Sequence, residues 1–123
     1  MTVKQVADRL VELCRQGQFD TAQNELYAED ALSIEPEGAP DREVRGLAAI
    51  RKKGEEFNNM TEEVHGITVS DPVVADNFFS IMMDIDMTMK GAGRMNMAEV
   101  AVYEVRDGKV VKEQFFYTPM PMG

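Results

Sequence analysis

The sequence predicts an α+β domain, in which three helices on the N-terminal side pack against a curved antiparallel sheet and enclose an apolar pocket. Two observations predict this class. Apolar residues first recur every three or four positions, as on one face of a helix, and later alternate with polar residues, as in half-buried strands. Helices followed by a run of strands are typical of α+β packing. With 123 residues, we expect one domain over residues 1–123.

The helices are predicted from their apolar stripes and from the residues that end them. Val3–Cys14 carries apolar residues at three- and four-residue steps, and Gly17 follows at the position of a helix C-terminus. Asp20 is predicted to cap a second, shorter helix that closes at Tyr27. Leu47–Met60 predicts a third helix. Its apolar face would carry Ile50, Phe57 and either Lys53 or Gly54.

The strands are predicted from alternation and from turn residues. A first strand, Ala31–Glu35, lies between the second and third helices and ends at Pro36. Four longer strands follow, at Val64–Val74, Phe78–Lys90, Met95–Arg106 and Val110–Thr118. The turns between the later strands are Asp76-Asn77, Gly91-Ala92-Gly93 and Asp107-Gly108, and Asp-Gly is a strong signal for a tight hairpin. These strands predict an antiparallel meander.

Alternation also predicts which side chains face the interior. In the strand Phe78–Lys90, the odd-numbered positions from Phe79 to Met89 are all apolar. In Met95–Arg106, the corresponding face carries Met95, Met97, Glu99, Ala101, Tyr103 and Val105. A carboxyl group among methionine and tyrosine side chains loses solvation, which raises its pKa towards neutrality. Glu99 is therefore the first candidate site residue, unless the opposite face is interior or an arginine pairs with Glu99.

The other sheet face is too apolar to remain exposed over a long sheet. It carries Met82, Val100, Val102 and Phe116. We expect a homodimer through this outer face. On the same face, Asp84 and Asp86 are expected to be solvated or at the rim of the interface.

Charge and cysteine content exclude several functions. The net charge is −9, from 22 acidic and 13 basic residues, which repels phosphate backbones, so we expect no nucleic-acid partner. The chain has one cysteine, Cys14, so no internal disulfide can form. We expect Cys14 to be buried as a small hydrophobic residue. The N-terminal segment carries charges among its apolar residues, unlike a signal peptide or a membrane span. We expect a cytoplasmic protein without membrane contact.

Several short motifs together resemble the nuclear transport factor 2-like superfamily, and the SnoaL-like group in particular. They are Tyr27-Ala28-Glu29-Asp30-Ala31, Pro36, Gly46, Asp107-Gly108-Lys109-Val110-Val111 and Phe115-Phe116-Tyr117. The resemblance covers nearly the whole chain. It implies a cystatin-like cone of curved antiparallel sheet wrapped on three helices, usually dimeric, with a deep pocket at its open end.

Within that superfamily, ketosteroid isomerase resembles this chain around Tyr27–Gly38, and Glu35 matches the general base of that enzyme. The places of its enolate-stabilising tyrosine and protonated acid fall on Leu10 and near Ala101, so the oxyanion hole of the isomerase is missing. SnoaL-type polyketide cyclases are similar in fold and deprotonate an activated carbon with a pocket acid or base. That likeness implies Glu35 as base, with either protonated Glu99 or His65 as hydrogen-bond donor.

We therefore predict a small-molecule isomerase or cyclase that acts on an apolar carbonyl compound through pocket carboxylates. The pocket would be lined by Phe57, Met83, Met95, Met97 and Tyr103. His65 alternates with Ile67 and Val69 and so faces the interior, or else it lies at the rim. We expect no metal and no cofactor, because no spacing of metal ligands is present. The alternative is a non-catalytic ligand-binding or dimerisation domain of the same fold.

Overall fold

A computed structural model describes residues 1–39 and 42–119. In these residues the helices are α1 (Val3–Arg15), α2 (Phe19–Leu26) and α3 (Leu47–Met60). The strands are β1 (Tyr27–Ile34), β2 (Glu43–Arg45), β3 (Thr61–Val69), β4 (Val73–Ala75), β5 (Phe78–Met89), β6 (Gly93–Arg106) and β7 (Lys109–Phe116). The predicted α+β class is confirmed. No helix in these residues is long and apolar enough to cross a membrane.

The two N-terminal helices begin differently. Thr2 caps α1 in a capping box, since its hydroxyl accepts from the Gln5 backbone N–H and the Gln5 side chain accepts from the Thr2 N–H. The apolar stripe of α1 is buried, as predicted. In α2 the N-cap is Gln18, so the prediction that Asp20 caps this helix is wrong. Asp20 lies in the first turn, where its charge still complements the helix dipole.

The strands form one curved, mixed sheet in the order β2-β1-β7-β6-β5-β3, with β4 paired to β5. The predicted antiparallel meander is correct for β5, β6 and β7. It is wrong for β1, which pairs in parallel with β7 through Ser33 opposite Glu113. Parallel strands need a long crossover, and α3 with the intervening strands supplies it. Alternation within each strand does not carry this long-range information.

The turns define the lengths of the strands. Asp107-Gly108 forms the predicted tight hairpin between β6 and β7, with positive φ angles of 52° and 73°. Asp76-Asn77 likewise joins β4 to β5. The predicted strand Val64–Val74 is instead two strands, β3 and β4, interrupted at residues 70–72. Pro72 lies in that interruption and has no backbone N–H to donate to the sheet.

The core lies between α1, α2 and the inner face of β5, β6 and β7. The predicted interior face is confirmed at Phe79, Ile81, Met83 and Met87 in β5 and at Ala101, Tyr103 and Val105 in β6. The rings of Phe79 and Tyr103 stack with centroids 4.7 Å apart. Register shifts interrupt the alternation at four places, one in β1, two in β3 and one between β6 and β7. Such bulges redirect side chains and are over-represented next to functional sites.

Candidate functional site

The candidate site is a cavity of about 280 Å³ between the inner face of the sheet and the three helices. Its wall is largely apolar and includes Leu10, Ile50, Phe57, Met83, Met97 and Tyr103. Its ionisable groups include Glu35, Lys53, Glu99, Glu113 and Tyr117. An apolar cavity with a few convergent polar groups is the usual form of a small-molecule site.

Glu35 follows the last residue of β1 and accepts hydrogen bonds on both carboxyl oxygens. Lys53 Nζ in α3 donates to Oε1 at 3.0 Å, and the Tyr117 hydroxyl donates to Oε2 at 2.9 Å. The side chains of Lys53 and Glu35 are only 19% and 14% exposed, so this ion pair is largely shielded from water. Lys53 Nζ also lies 5.5 Å from the centroid of the Phe115 ring. Glu35 thus holds one cationic and one neutral donor at the cavity.

A second carboxyl, Glu113 in β7, lies deeper and is 3% exposed. The Tyr27 hydroxyl donates to its Oε1, and the Ser33 hydroxyl donates to its Oε2 at 2.7 Å. Ser33 is completely buried and also accepts a hydrogen bond from Lys53 Nζ at 2.6 Å. Burial raises the pKa of Glu113, and the hydrogen bonds from Tyr27 and Ser33 oppose that effect.

Glu99 in β6 is the third carboxyl of the cavity. Among residues 1–39 and 42–119, no side chain donates a hydrogen bond to it. Burial in the apolar wall raises its pKa from 4.5 to about 7, and the charges of Glu35 and Glu113 act in the same direction, while Lys53 opposes them. Glu99 therefore exchanges a proton near neutral pH, and its carboxyl is not engaged by any described neighbour.

Tyr117 and Cys14 remain protonated at neutral pH. Burial, followed by the hydrogen bond to Glu35, raises the pKa of Tyr117 well above its usual value of 10.0, so its hydroxyl is a neutral donor. Burial raises the pKa of the Cys14 thiol to about 12. Cys14 lies in the cavity wall as an apolar group, not as a thiolate nucleophile.

The cavity brings together most of the predicted site residues. Glu35, Glu99, Phe57, Met83, Met97 and Tyr103 all line it. Met95 shares the inner face of β6 but is not among the lining residues, although its partner Met87 in β5 is. Asp84 and Asp86 lie on the outer face, where Asp84 accepts a hydrogen bond from Asn96 and Asp86 pairs with Arg94 at 2.9 Å.

Of the two placements predicted for His65, interior or rim, the structure contradicts the interior one, since His65 is exposed and is not among the lining residues. The register of β3 shifts between Val64 and Gly66, so Val64 and Ile67 both line the cavity although they are three residues apart. The bulge places His65 on the other face, where its Nε2 lies 2.7 Å from the Thr88 hydroxyl. His65 is therefore not a candidate donor for the cavity.

Several polar residues were not predicted as site residues, among them Tyr27, Ser33, Lys53, Glu113 and Tyr117. Tyr117 could have been found, since it alternates with Phe115 and both line the cavity. Glu113 alternates with the same two residues, but when the strand is counted from Val110 it falls on the opposite face, because Val111 is an extra residue between the pairs Val105–Val110 and Glu104–Lys112. This bulge turns Glu113 to the same side as Val110, against simple alternation.

These features define a class of small α+β domains in which a curved sheet and three helices enclose a carboxyl-lined apolar cavity. The family model for the SnoaL-like domain matches residues 1–117. The chain therefore belongs to the SnoaL-like domain family. No curated protein matches the chain at significant similarity.

Solved structures share this fold. A proposed SnoaL-like polyketide cyclase from Mesorhizobium loti is 34% identical, covers 95% of this chain and 100% of its own, and superposes with a TM-score of 0.89. A proposed isomerase from Bacillus subtilis is 20% identical, with coverage of 97% and 91% and a TM-score of 0.72. A protein from Catenulispora acidiphila with a ketosteroid isomerase-like fold, in complex with trimethylamine, is 16% identical, with coverage of 92% and 85% and a TM-score of 0.72. The last two likenesses concern the fold alone.

Proposed function

We propose that this domain is a small-molecule isomerase or cyclase that moves a proton on an apolar carbonyl compound. The observation that carries the proposal is Glu99, a carboxyl with a pKa of about 7 that opens into an apolar cavity and receives no hydrogen bond from residues 1–39 or 42–119. Perturbed carboxyls in clefts are typical of sites of proton transfer. The description of the Mesorhizobium loti structure as a proposed polyketide cyclase supports the same reaction class.

Glu99 is the group best placed to accept the proton. A general base works best when its pKa lies near the operating pH, because it is then both ionised and sufficiently basic. Glu99 meets that condition, and its unengaged carboxyl leaves room for a C–H group of a bound substrate. It takes the proton from the carbon next to the carbonyl and returns it at another carbon in an isomerase. In a cyclase, the carbanion instead attacks a second carbonyl of the same molecule.

Lys53 and Tyr117 are the groups best placed to stabilise the enolate oxygen. Both line the cavity, both are hydrogen-bond donors, and Glu35 holds both of them at about 3 Å. Donors that are fixed before the reaction stabilise developing negative charge without reorganisation. This pair replaces the tyrosine and protonated acid that the resemblance to ketosteroid isomerase places at Leu10 and near Ala101.

The contacts favour an exchange of the roles that the resemblance implies. Both oxygens of Glu35 already accept hydrogen bonds, one from an ammonium group and one from a hydroxyl, so they are already engaged. Glu99 carries no such donor among the described residues. We therefore assign the base to Glu99 and a holding role to Glu35. The cavity volume of about 280 Å³ fits a compact substrate, near the lower end of the ~300–1,000 Å³ range of ligand pockets.

The experiment is exchange of α-protons on 2-tetralone, a compact apolar ketone, in deuterated buffer and followed by NMR. We expect the wild-type protein to accelerate exchange and Glu99→Gln to lower the rate by about 10²–10⁴-fold, the usual contribution of a general base. Glu104→Gln is the matched control, because Glu104 lies in the same strand and pairs with Arg106 instead of lining the cavity. Binding of the ketone without exchange would instead support the non-catalytic ligand-binding alternative.

A further inference from the structure

A continuous chain of hydrogen bonds connects the buried carboxyl of Glu113 to Lys53, one of the two donors of the proposed reaction. Glu113 accepts from Ser33, Ser33 accepts from Lys53, and Lys53 also donates to Glu35. Three elements contribute: Ser33 belongs to β1, Lys53 to α3 and Glu113 to β7. The parallel pairing of β1 with β7 places Ser33 directly opposite Glu113.

The direction of each hydrogen bond in this chain is fixed by chemistry. A serine hydroxyl has one proton to donate, and here it points to Oε2 of Glu113. The lone pairs of the same oxygen are then left to accept from Lys53, which can only donate. If Glu113 were not an acceptor, the Ser33 proton would be free to rotate towards Lys53 and repel it.

We propose that Glu113 is a positioning residue, which acts through Ser33 to fix the Lys53 ammonium where it faces the developing enolate oxygen. This role rests on the proposed function. Lysine has a flexible four-carbon side chain, so one hydrogen-bond partner does not fix its ammonium group. Ser33 and Glu35 together hold Lys53 from two sides, and the bulge in β7 is what turns Glu113 towards Ser33.

Burial supports a role beyond packing. Glu113 and Ser33 are the polar or charged residues that are buried in the described part of the chain. A buried carboxyl is costly unless it is hydrogen-bonded and compensated, and an apolar residue would fill the same volume without that cost. The Lys53 ammonium supplies the compensating charge across Ser33. Glu113 and Lys53 therefore depend on each other through one hydroxyl.

The test compares two hydroxyl deletions that both remove a hydrogen bond to Glu113. Ser33→Ala breaks the connection to Lys53, whereas Tyr27→Phe leaves it intact. The first readout is the exchange rate of the Lys53 ammonium protons, measured by ¹⁵N NMR. Loss of a hydrogen bond to a charged group corresponds to a change of about tenfold or more in an equilibrium constant, and here in the proton-exchange rate. We expect an increase of that size in Ser33→Ala and less than about twofold in Tyr27→Phe.

The second readout is exchange of 2-tetralone α-protons. In Ser33→Ala we expect kcat to fall by up to about 10²-fold with KM unchanged, because a misplaced group costs rate and not binding. Equal effects of the two deletions on the Lys53 protons, or none in either, would overturn the positioning role. If the wild-type protein does not accelerate ketone exchange, the proposed reaction fails, and the Lys53 signals still decide whether Glu113 fixes the ammonium. Glu113→Leu, which leaves the Ser33 hydroxyl without this acceptor, should behave like Ser33→Ala.

Discussion

Glu35 and Glu99 line the same cavity, but in the described part of the chain only Glu35 has hydrogen-bond donors. Lys53 and Tyr117 donate to its two oxygens, whereas the described residues offer Glu99 none. The charge of Glu35 also helps to raise the pKa of Glu99. Two identical side chains thus acquire different chemistry from their surroundings, as in enzymes that divide acid and base roles between two carboxyls.

The rate of ketone exchange should depend on the ionisation of Glu99. A base must be deprotonated, so kcat/KM should rise with pH and level off above a midpoint near the pKa of about 7. The residual activity of Glu99→Gln should lack this rise. A rate that falls as pH passes 7 would contradict the assignment, and would return the base to Glu35 with protonated Glu99 as donor.

The free energy of unfolding should also depend on the ionisation of Glu99. Its pKa is 4.5 ordinarily and about 7 in the folded protein, so between these values the folded state binds more protons than the unfolded state. Stability from this group is therefore fully present below pH 4.5 and is lost as pH rises to 7, by up to about 3 kcal/mol. Urea unfolding should show Glu99→Gln gaining that much relative to wild type between pH 4.5 and pH 8. A constant difference across this range would mean that Glu99 is solvated.

Removal of the Lys53 charge should raise the pKa of Glu99 further. Lys53 is the group that lowers it, so in Lys53→Met the carboxyl should titrate above 7 in ¹³C NMR. The variant should also lose about 3 kcal/mol of stability, because Glu35 and Glu113 lose their shared cation. Lys52→Met is the matched control, since Lys52 is exposed on the same helix. An unchanged Glu99 titration in Lys53→Met would contradict the electrostatic coupling.

The sequence correctly predicts which side chains face the interior wherever the alternation of apolar and polar residues is regular. In β5 and β6, period two correctly places Met83, Met97, Glu99 and Tyr103 on the inner face, because the pairing of these strands runs without a shift from Phe78 opposite Glu104 to Met89 opposite Gly93. The Asp107-Gly108 hairpin was predictable for a local reason, since both residues tolerate positive φ.

The prediction of the inner face fails wherever a β-bulge shifts the alternation of side chains between the two faces of the sheet. One extra residue turns His65 away from the cavity, and another, Val111, places Glu113 on the same side as Val110. Gly66 lies at the first shift, whereas no glycine lies at the second. The Ser33–Glu113 contact additionally depends on β1 pairing with β7, strands separated by most of the chain. Such pairing is set by packing of the whole domain, so the hydrogen-bond chain behind Lys53 was not visible in the sequence.

The β6–β7 hairpin should be sensitive to a methyl group at Gly108. Gly108 has a φ of +73°, and a Cβ there would lie 3.0 Å from the backbone nitrogen of Met1. Gly91 has a similar φ of +77°, but a Cβ at that position meets nothing within 4 Å. Both substitutions to alanine should cost about 1 kcal/mol for the backbone, and Gly108→Ala should cost more because of the contact. Equal costs in thermal unfolding would show that the N-terminus moves aside freely.

We also propose that the outer face of the sheet forms a homodimer. Met82, Val100 and Phe116 pair with each other across β5, β6 and β7, and they are 38%, 46% and 50% exposed. A row of apolar side chains across three strands is typical of a buried contact with a second copy.

Sedimentation should give a dimer for the wild type and a monomer for Phe116→Glu, because a charge at this position would be buried without a partner. Met60→Glu, at the exposed end of α3, should remain dimeric. A monomeric wild-type protein at micromolar concentration would refute the interface and leave the cavity chemistry to a single chain.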